Sequence, residues 1–196
     1  MRKLILQMQA SVDGYVGRES EGPSWQVWDW GEDCPWDRPL QDRFNEFFAA
    51  ADTILLSRKI IEGGYLDHWT QLAGLHPDEP LFAFARRIVQ ARNVVFSNSL
   101  AETPWPGTEL ATGTLPDTIS ELKSQPGKNI VAFGGAGFAS ALIAAGVVDE
   151  VEFYTNPVAL GDGLRIFPEA KGNQALQLES STAYKCGIVV TDYSIS

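Results

Sequence analysis

Cysteine and histidine are scarce in this chain: two of each in 196 residues. Cys34 and Cys186 stand in unrelated contexts, no CxxC pair occurs, and only His68 and His76 are available as partners, so neither a disulfide framework nor a zinc centre is expected. Positive charge is also short. Fifteen Lys and Arg face 25 Asp and Glu, a formal charge of -10, which repels polyanions and argues against a nucleic-acid partner. Long apolar runs are missing too. No stretch approaches the roughly 18 residues of a membrane span, and MRKLILQMQASVDG holds too short an apolar run for a secretory signal. The expectation is a soluble cytoplasmic protein with no membrane partner. No Ser-His-Asp order, HExxH, P-loop or GxGxxG pattern occurs.

What is present suits one folded domain over residues 1–196: 44% of residues are hydrophobic and 20% charged, enough for a core and too apolar for disorder. Leu4-Ile5-Leu6 with Met8 and Ala10 reads as a buried strand that ends in the SVDGYV turn. EGPSWQVWDWGEDCPWD holds four of the six tryptophans without a steady period and reads as a long aromatic loop. Leu40, Phe44, Phe47, Phe48 and Ala51 recur at helical spacing after Pro39. A strand over Thr53–Leu56 leads to a short helix opened by Ser57-Arg58-Lys59, with His68-Trp69 just beyond it in a structural role. Pro80 opens another helix with Leu81, Phe84, Ala85, Ile88 and Val89 on one face. NVVFSNS reads as a strand, ELAT as a short strand, and Pro116–Ser124 as a short helix. A strand near Glu150–Thr155 precedes two β-like runs, ALQLESS and YKCGIVVTDYSI, which form a closing antiparallel hairpin on an α/β sheet.

The junction AFGGAGF is the most distinctive feature. Gly134, Gly135 and Gly137 bare the main chain where a strand meets a helix beginning near Ala136, and such a terminus presents N–H groups to an anion. The residues alone leave a tight turn equally open. Ser57, Arg58 and Lys59 place two cations at another strand–helix junction, and Ser97 and Asn98 supply polar groups after VVF. Asp13 lies at a further strand end, where it could anchor a heterocycle or relay a proton, or merely serve an Asp-Gly turn. Ligands of open α/β sheets collect at such ends. Trp25, Trp28, Trp30 and Trp36 could stack on a planar substrate, pack as a lid or form a subunit contact.

In order and spacing, SVDGYV, ADTILLSRKIIEGGY, VVFSNSL and NIVAFGGAGFASALIAAGVVDEVEFYTNPVALGDGLRIF, with the final hairpin, resemble the reductase domain at the C-terminus of bifunctional riboflavin-biosynthesis proteins. That family has the dihydrofolate reductase fold. The resemblance implies a three-layer α/β structure with a mostly parallel sheet, an NADPH-using reductase and a homodimer. It further implies that Arg58 and Lys59 meet the cofactor's phosphates and Ser97 and Asn98 its adenosine side. Gly134, Gly135, Ala136 and Gly137 would lend backbone to the pyrophosphate or ribose, with Ser57 beside them. Ala10 and the turn containing Asp13, Val16 and Gly17 would border nicotinamide and substrate. Among the loop tryptophans, Trp25 is the one expected to touch the substrate, by stacking rather than by family analogy. The sequence departs from the family at Ser57, where glycine is usual, and at Ile60, where a hydroxyl residue is usual; Ile60 removes one phosphate donor. The HxE and PCxxC zinc signature of the deaminase half is missing.

Two functions from different classes follow. One is an NADPH-dependent reductase passing hydride to a pterin-like or pyrimidine-like molecule of the aminouracil or dihydrofolate type. The other is a small-molecule binding protein that keeps the fold without hydride transfer. A third, an assembly protein using the tryptophan loop as an interface, rests on that loop alone.

Overall fold

Short apolar runs, buried on both faces, build the central strands, and helical stripes of period 3.6 cover them. The computed structural model describes residues 1–19, 24–27, 35–167 and 174–195. Along the chain come β1 (Leu4–Ser11), α1 (Arg38–Ala49), β2 (Ala51–Ser57), α2 (Arg58–Glu62), α3 (Tyr65–Leu75), a 3-10 turn (Pro80–Phe82), α4 (Ala83–Gln90), β3 (Arg92–Phe96) and β4 (Thr108–Leu110). They are followed by α5 (Leu115–Ser124), β5 (Asn129–Phe133), α6 (Ala136–Ala144), β6 (Glu150–Asn156), β7 (Leu176–Ala183) and β8 (Val189–Ile195). The eight strands form one sheet in the order β4-β3-β2-β5-β1-β6-β8-β7. From β4 to β6 the neighbours are parallel, while β8 pairs antiparallel with both β6 and β7. The C-terminal hairpin and the mostly parallel sheet therefore stand as expected.

Two cores, one per face, make the three layers. Leu4, Leu6 and Met8 of β1 face Ile119 and Leu122 of α5 and Leu142 of α6. Ile54 and Leu56 of β2 face the other way, towards Leu40, Phe44 and Phe48 of α1 and Phe84 and Ile88 of α4. The second core is strongly aromatic. Trp36 stacks on Tyr154 at 5.5 Å between ring centroids and meets Phe44 edge-on at 5.4 Å. Edge-to-face contacts of this kind add to simple burial, because the rim of one ring is positive and the face of the other negative. Trp36 is thus core rather than a lid; Trp28 and Trp30 lie outside the described residues.

Local signals explain the helix starts. Asp37 caps α1 by accepting from the Leu40 N–H, with Pro39 in the first turn, and Thr114 caps α5 by accepting from Asp117 N–H. Three expectations are corrected. Ala51 opens β2, where it pairs with Asn129, instead of closing α1. His68-Trp69 sits inside α3, a helix missed because its buried residues, Trp69 and Leu72, mark only a narrow stripe. Val89 is 37% exposed, since it lies one step around α4 from the buried Phe84, Ala85 and Ile88. No described helix is long and apolar enough to cross a membrane.

Candidate functional site

Parallel strands bring their carboxyl ends to one rim, here in the order β3-β2-β5-β1-β6. Ser97-Asn98 follow β3, Ser57 ends β2 with Arg58-Lys59 opening α2, Gly134–Gly137 follow β5, and Ala10 with the Asp13 turn closes β1. The pairing of β1 with β5 stops at Leu6 opposite Ala132, while β1 runs on from Gln7 to Ser11 against β6 alone. Beyond that step the chain leaves β1 for α1 on one face, and leaves β5 for α6 on the other. Connections that part in this way open a crevice between neighbouring strands, the usual ligand position in such sheets.

The two glycines at the crevice have different reasons to be there. A Cβ on Gly134 would come within 2.5 Å of the Phe138 ring, whereas one on Gly135 or Gly137 would meet nothing within 4 Å. Gly134 therefore serves the protein's own packing, and Gly135 faces open space. Gly135 is the N-cap of α6 in ordinary extended backbone, φ -69° and ψ 171°, and no side chain caps the helix. One residue past the Leu56–Phe133 pair on the adjoining strand, the Ser57 hydroxyl is buried without a hydrogen-bond partner. An uncapped helix start, open space over it and an orphan hydroxyl fit an anionic group approaching the main chain.

Beside this junction lies a cleft of about 450 Å³, on the α1–α4 face, lined by Gln7, Gln9, Tyr65, Trp69 and Phe133 among others. Its outer wall turns at Gly64, the N-cap of α3, whose φ of 84° is a conformation that other residues adopt at a cost. Tyr65 packs against Trp69 and Phe133, at 5.9 and 5.7 Å between centroids. Burial pushes the Tyr65 hydroxyl well above the usual phenol range, so it stays protonated. The Gln9 carbonyl accepts from Asn156 Nδ2 at 2.8 Å, while the amide nitrogens of Gln7 and Gln9 are buried without partners.

A smaller cavity, about 220 Å³, lies towards the other end of β1 and β6 around Arg43, Glu46, Glu152 and Asp192. Arg43 meets Glu152 at 2.6 Å and Asp192 at 2.7 Å. Burial lifts the Glu152 carboxyl to about 7, against the pull of Arg43. This is a buried charge cluster tying α1 to β6 and β8, away from the strand ends.

Residues 2–190 match the RibD C-terminal domain. The chain belongs to that family. It is 28% identical over 193 residues to the uncharacterized protein YyaP of Bacillus subtilis (strain 168), covering 98% of this chain and 94% of the relative. Among solved structures, a putative riboflavin biosynthesis protein from Shewanella sp. PV-4 matches with a TM-score of 0.63 at 19% identity, covering 99% of both chains. The Thermotoga maritima diaminohydroxyphosphoribosylaminopyrimidine deaminase/5-amino-6-(5-phosphoribosylamino)uracil reductase matches with a TM-score of 0.64 at 15% identity, over all of this chain and 57% of that one. At these identities the structural matches speak for the fold, which is the dihydrofolate reductase-like one expected.

Within this RibD C-terminal domain, the residues singled out in the sequence take distinct positions. The Asp13 carboxylate accepts from the Ser11 hydroxyl at 2.6 Å and from the backbone N–H groups of Leu160 and Gly161 at 3.1 and 2.7 Å. These donors, the Ser11 hydroxyl first, hold its pKa down to about 2. Asp13 is therefore an ionised clamp on the loop after β6. Val16 N–H donates to the Leu164 carbonyl, and Leu164 N–H to the Gly17 carbonyl, so the turn after β1 and the loop after β6 form one unit. Ala10 is buried in β1. Arg58 makes a 3.3 Å contact with Glu62, one turn along α2, and Lys59 is exposed beside it. Ser97 accepts from Ser99 and Leu100 N–H at 3.2 Å, shaping its own turn, and leaves Asn98 exposed on the rim. Trp25 is half-buried, and its neighbour Gln26 lines the cleft.

Gln7, Gln9 and Asn156 were not among the residues singled out. The available signal was the polar pair at alternate positions of LILQMQA, which breaks an otherwise aliphatic strand.

Proposed function

We propose that this RibD C-terminal domain is an NADPH-dependent reductase of a planar pterin-like or pyrimidine-like molecule. The observation that carries the reading is the junction of two spaces. The open main chain at Gly135 and the orphan Ser57 hydroxyl adjoin an aromatic, carboxamide-lined cleft at the β5–β1 step. The first suits a dinucleotide's phosphates and the second a flat ring.

NADPH, when bound, supplies the hydride. Ala136 and Gly137 N–H groups, with the Ser57 hydroxyl, would hold its phosphates, and Arg58 and Lys59 would favour the additional phosphate of NADPH over NADH. Ser97 and Asn98 would border the adenosine side. Ala10, Val16 and Gly17 would line the nicotinamide side, fixed there by the Asp13 clamp. Tyr65, Trp69 and Phe133 would exclude water and hold the acceptor flat. Reduction of a C=N bond also requires a proton. Asp13 is ionised and spent on the loop, so it acts by positioning. His68 lines the cleft, and histidine is the side chain most often used as a general acid; it would supply that proton. The homodimer implied by the resemblance and the cytoplasmic location expected from the sequence belong to the same proposal, and light scattering measures the first.

Two features favour the second reading, a binding protein without hydride transfer. Among the described residues no carboxylate lines the cleft, and Ile60 stands where the family resemblance implies a hydroxyl residue. The deciding experiment follows NADPH absorbance at 340 nm with dihydropterin, aminouracil and dihydrofolate acceptors, alongside NADPH binding by calorimetry. Saturable oxidation supports the reductase. Tight NADPH binding without oxidation of any acceptor supports the second reading, and absence of NADPH binding overturns the proposal.

A further inference from the structure

Buried carboxamides elsewhere in the protein spend their N–H groups on backbone carbonyls. Gln41, 8% exposed, donates to the Trp36 carbonyl at 2.9 Å, and Asn93, 2% exposed, donates to the Ile88 and Ala91 carbonyls at 3.1 and 2.9 Å. Gln7, 6% exposed, has no such acceptor. Its nitrogen is enclosed without a partner, which leaves its oxygen on the cleft side. Directly opposite on β6 stands Glu152, 4% exposed, whose Oε2 is likewise enclosed without a partner. An orphan donor and an orphan acceptor therefore share one face of adjoining strands, roughly 4.8 Å apart. Each is costly alone, and each is what the other lacks.

Glu152 is held in place by its other oxygen. Oε1 accepts from Arg43 Nε and Nη2 at 3.0 and 2.6 Å. Arg43 Nη2 also reaches Asp192, the neighbour of Glu152 on β8, at 2.7 Å. One guanidinium thus serves two carboxylates, so the group carries a negative charge in excess and has room for one proton. On Glu152 that proton belongs on Oε2, because Oε1 already accepts twice. The other charged or titratable groups around Glu152 are Glu46 on α1, Glu150 and Tyr154 on β6, and Tyr184 in the β7–β8 turn; Lys3, just before β1, is paired with Glu150. Burial lifts the Glu152 carboxyl to about 7, against the pull of Arg43, and lifts both tyrosines above the usual phenol range, so these stay protonated.

Gln7 can turn where Gln9 cannot. Asn156 Nδ2 donates to the Tyr154 and Ala10 carbonyls at 3.0 and 3.4 Å, so the same nitrogen meets the Gln9 oxygen at 2.8 Å and fixes that amide. The Gln7 nitrogen has no such anchor. A glutamine's terminal torsion is broad and roughly two-fold, so a half-turn exchanges oxygen and nitrogen at small cost.

We infer that Glu152 is the positioning residue for Gln7, and that its proton selects which end of the Gln7 amide meets the cleft. Ionised, Oε2 accepts from the Gln7 N–H and the Gln7 oxygen faces the cleft. Protonated, the Oε2–H group donates to that oxygen and the N–H faces the cleft instead. The cleft floor thereby offers a ligand an acceptor above the midpoint and a donor below it. A ligand N–H bound to Gln7 in turn makes Glu152 harder to protonate, since linkage is reciprocal. The switch belongs to the unliganded chain and goes beyond the reductase reading.

The test is NMR of the full chain, labelled with 15N in glutamine side chains and 13C in glutamate carboxyls, from about pH 5.5 to 8.5, either side of the Glu152 value. Both signals are assigned through their own backbone resonances. The Glu152 carboxyl and the Gln7 amide should titrate with one midpoint. Side-chain amide exchange is base-catalysed and ordinarily quickens as pH rises. Gln7 should lag that trend, exchanging about tenfold or more slowly above the midpoint than it does in Glu152→Gln at the same pH. In Glu152→Gln the new amide keeps its oxygen on Arg43 and gives its nitrogen to the Gln7 oxygen, so Gln7 should stay in the acid arrangement throughout. Asp192→Asn removes the second carboxylate and should move the Gln7 midpoint to lower pH. Gln9, anchored by Asn156, should follow the ordinary trend. A Glu152 that titrates while Gln7 does not would place the proton between Glu152 and Asp192 and overturn the inference. A Gln7 titration that persists in Glu152→Gln, an equal change at Gln9, or no titration of either group would overturn it as well. Melting curves identify variants that fail to fold, and the native titration with Gln9 as control decides the matter without them. No ligand is added, so failure of NADPH to bind leaves the switch standing, and failure of the switch leaves the reductase standing.

Discussion

Gly134 and Gly135 are adjacent and alike in sequence, yet the structure demands opposite outcomes when each gains a side chain. In Gly134→Ala the new methyl would lie 2.5 Å from one Phe138 ring carbon and 3.0 Å from the Phe138 Cβ. Carbon atoms in contact prefer about 3.5 to 4.0 Å, so Phe138 must move by roughly 1 Å. It sits in the first turn of α6 and packs on Phe96 at 5.5 Å between centroids, so the shift disturbs that contact as well. Overpacking of this type costs about 1–3 kcal/mol, a drop in melting temperature of roughly 3–10 °C for a chain of this size. In Gly135→Val the side chain enters open space from a backbone at φ -69° and ψ 171°, which any residue adopts. The melting temperature should stay within about 2 °C of the native value. Affinity for NADPH, read by calorimetry or nucleotide fluorescence, should nevertheless fall about tenfold or more, because the branched side chain fills the approach to the helix start. A Gly135→Val protein that binds NADPH as the native chain does would refute the cradle. A Gly134→Ala protein with unchanged stability would refute the packing account.

Three further outcomes follow from the same geometry. Glu152, raised from 4.5 to about 7 by burial, binds a proton in the folded state that the unfolded chain has lost between those values. Its stabilisation is therefore full below pH 4.5 and disappears as pH rises through 7, up to about 3 kcal/mol. Urea titrations at pH 5 and pH 8 should show this loss in the native chain and a flatter response in Glu152→Gln; equal slopes would refute it. Asp13 runs the opposite way, its contribution being present above 3.8 and lost as pH falls through about 2. Asp13→Ala should speed hydrogen exchange at Leu160 and Gly161 roughly tenfold, and unchanged exchange would remove the clamp. Trp36→Ala should cost about 3–5 kcal/mol, because Trp36 is 3% exposed and packs on Phe44 and Tyr154; a surface-like loss below about 1 kcal/mol in a urea titration would place it outside the core.

Local chemistry settled much of this molecule before it folded. Short continuous aliphatic runs wrote β2, β3 and β5, Asp37-Arg38-Pro39 wrote the start of α1, and the order of strand–helix junctions wrote the parallel sheet with its closing hairpin. Those features depend on neighbours in sequence, through side-chain periodicity and capping, so they can be read there. The α3 helix was harder to see, because Tyr65 and Trp69 face the cleft or the core only once α4 and β5 are in place. What belonged to the tertiary structure alone was the meaning of identical residue types. Two adjacent glycines divide into one that accommodates Phe138 and one that faces open space, and an Asp-Gly turn becomes a clamp through Leu160 and Gly161. Glutamines likewise divide into Gln41, whose amide nitrogen is satisfied, and Gln7 and Gln9, whose amide nitrogens are not. Each distinction depends on an atom supplied from far along the chain or from an adjoining turn, and a linear pattern does not encode where that atom comes to rest.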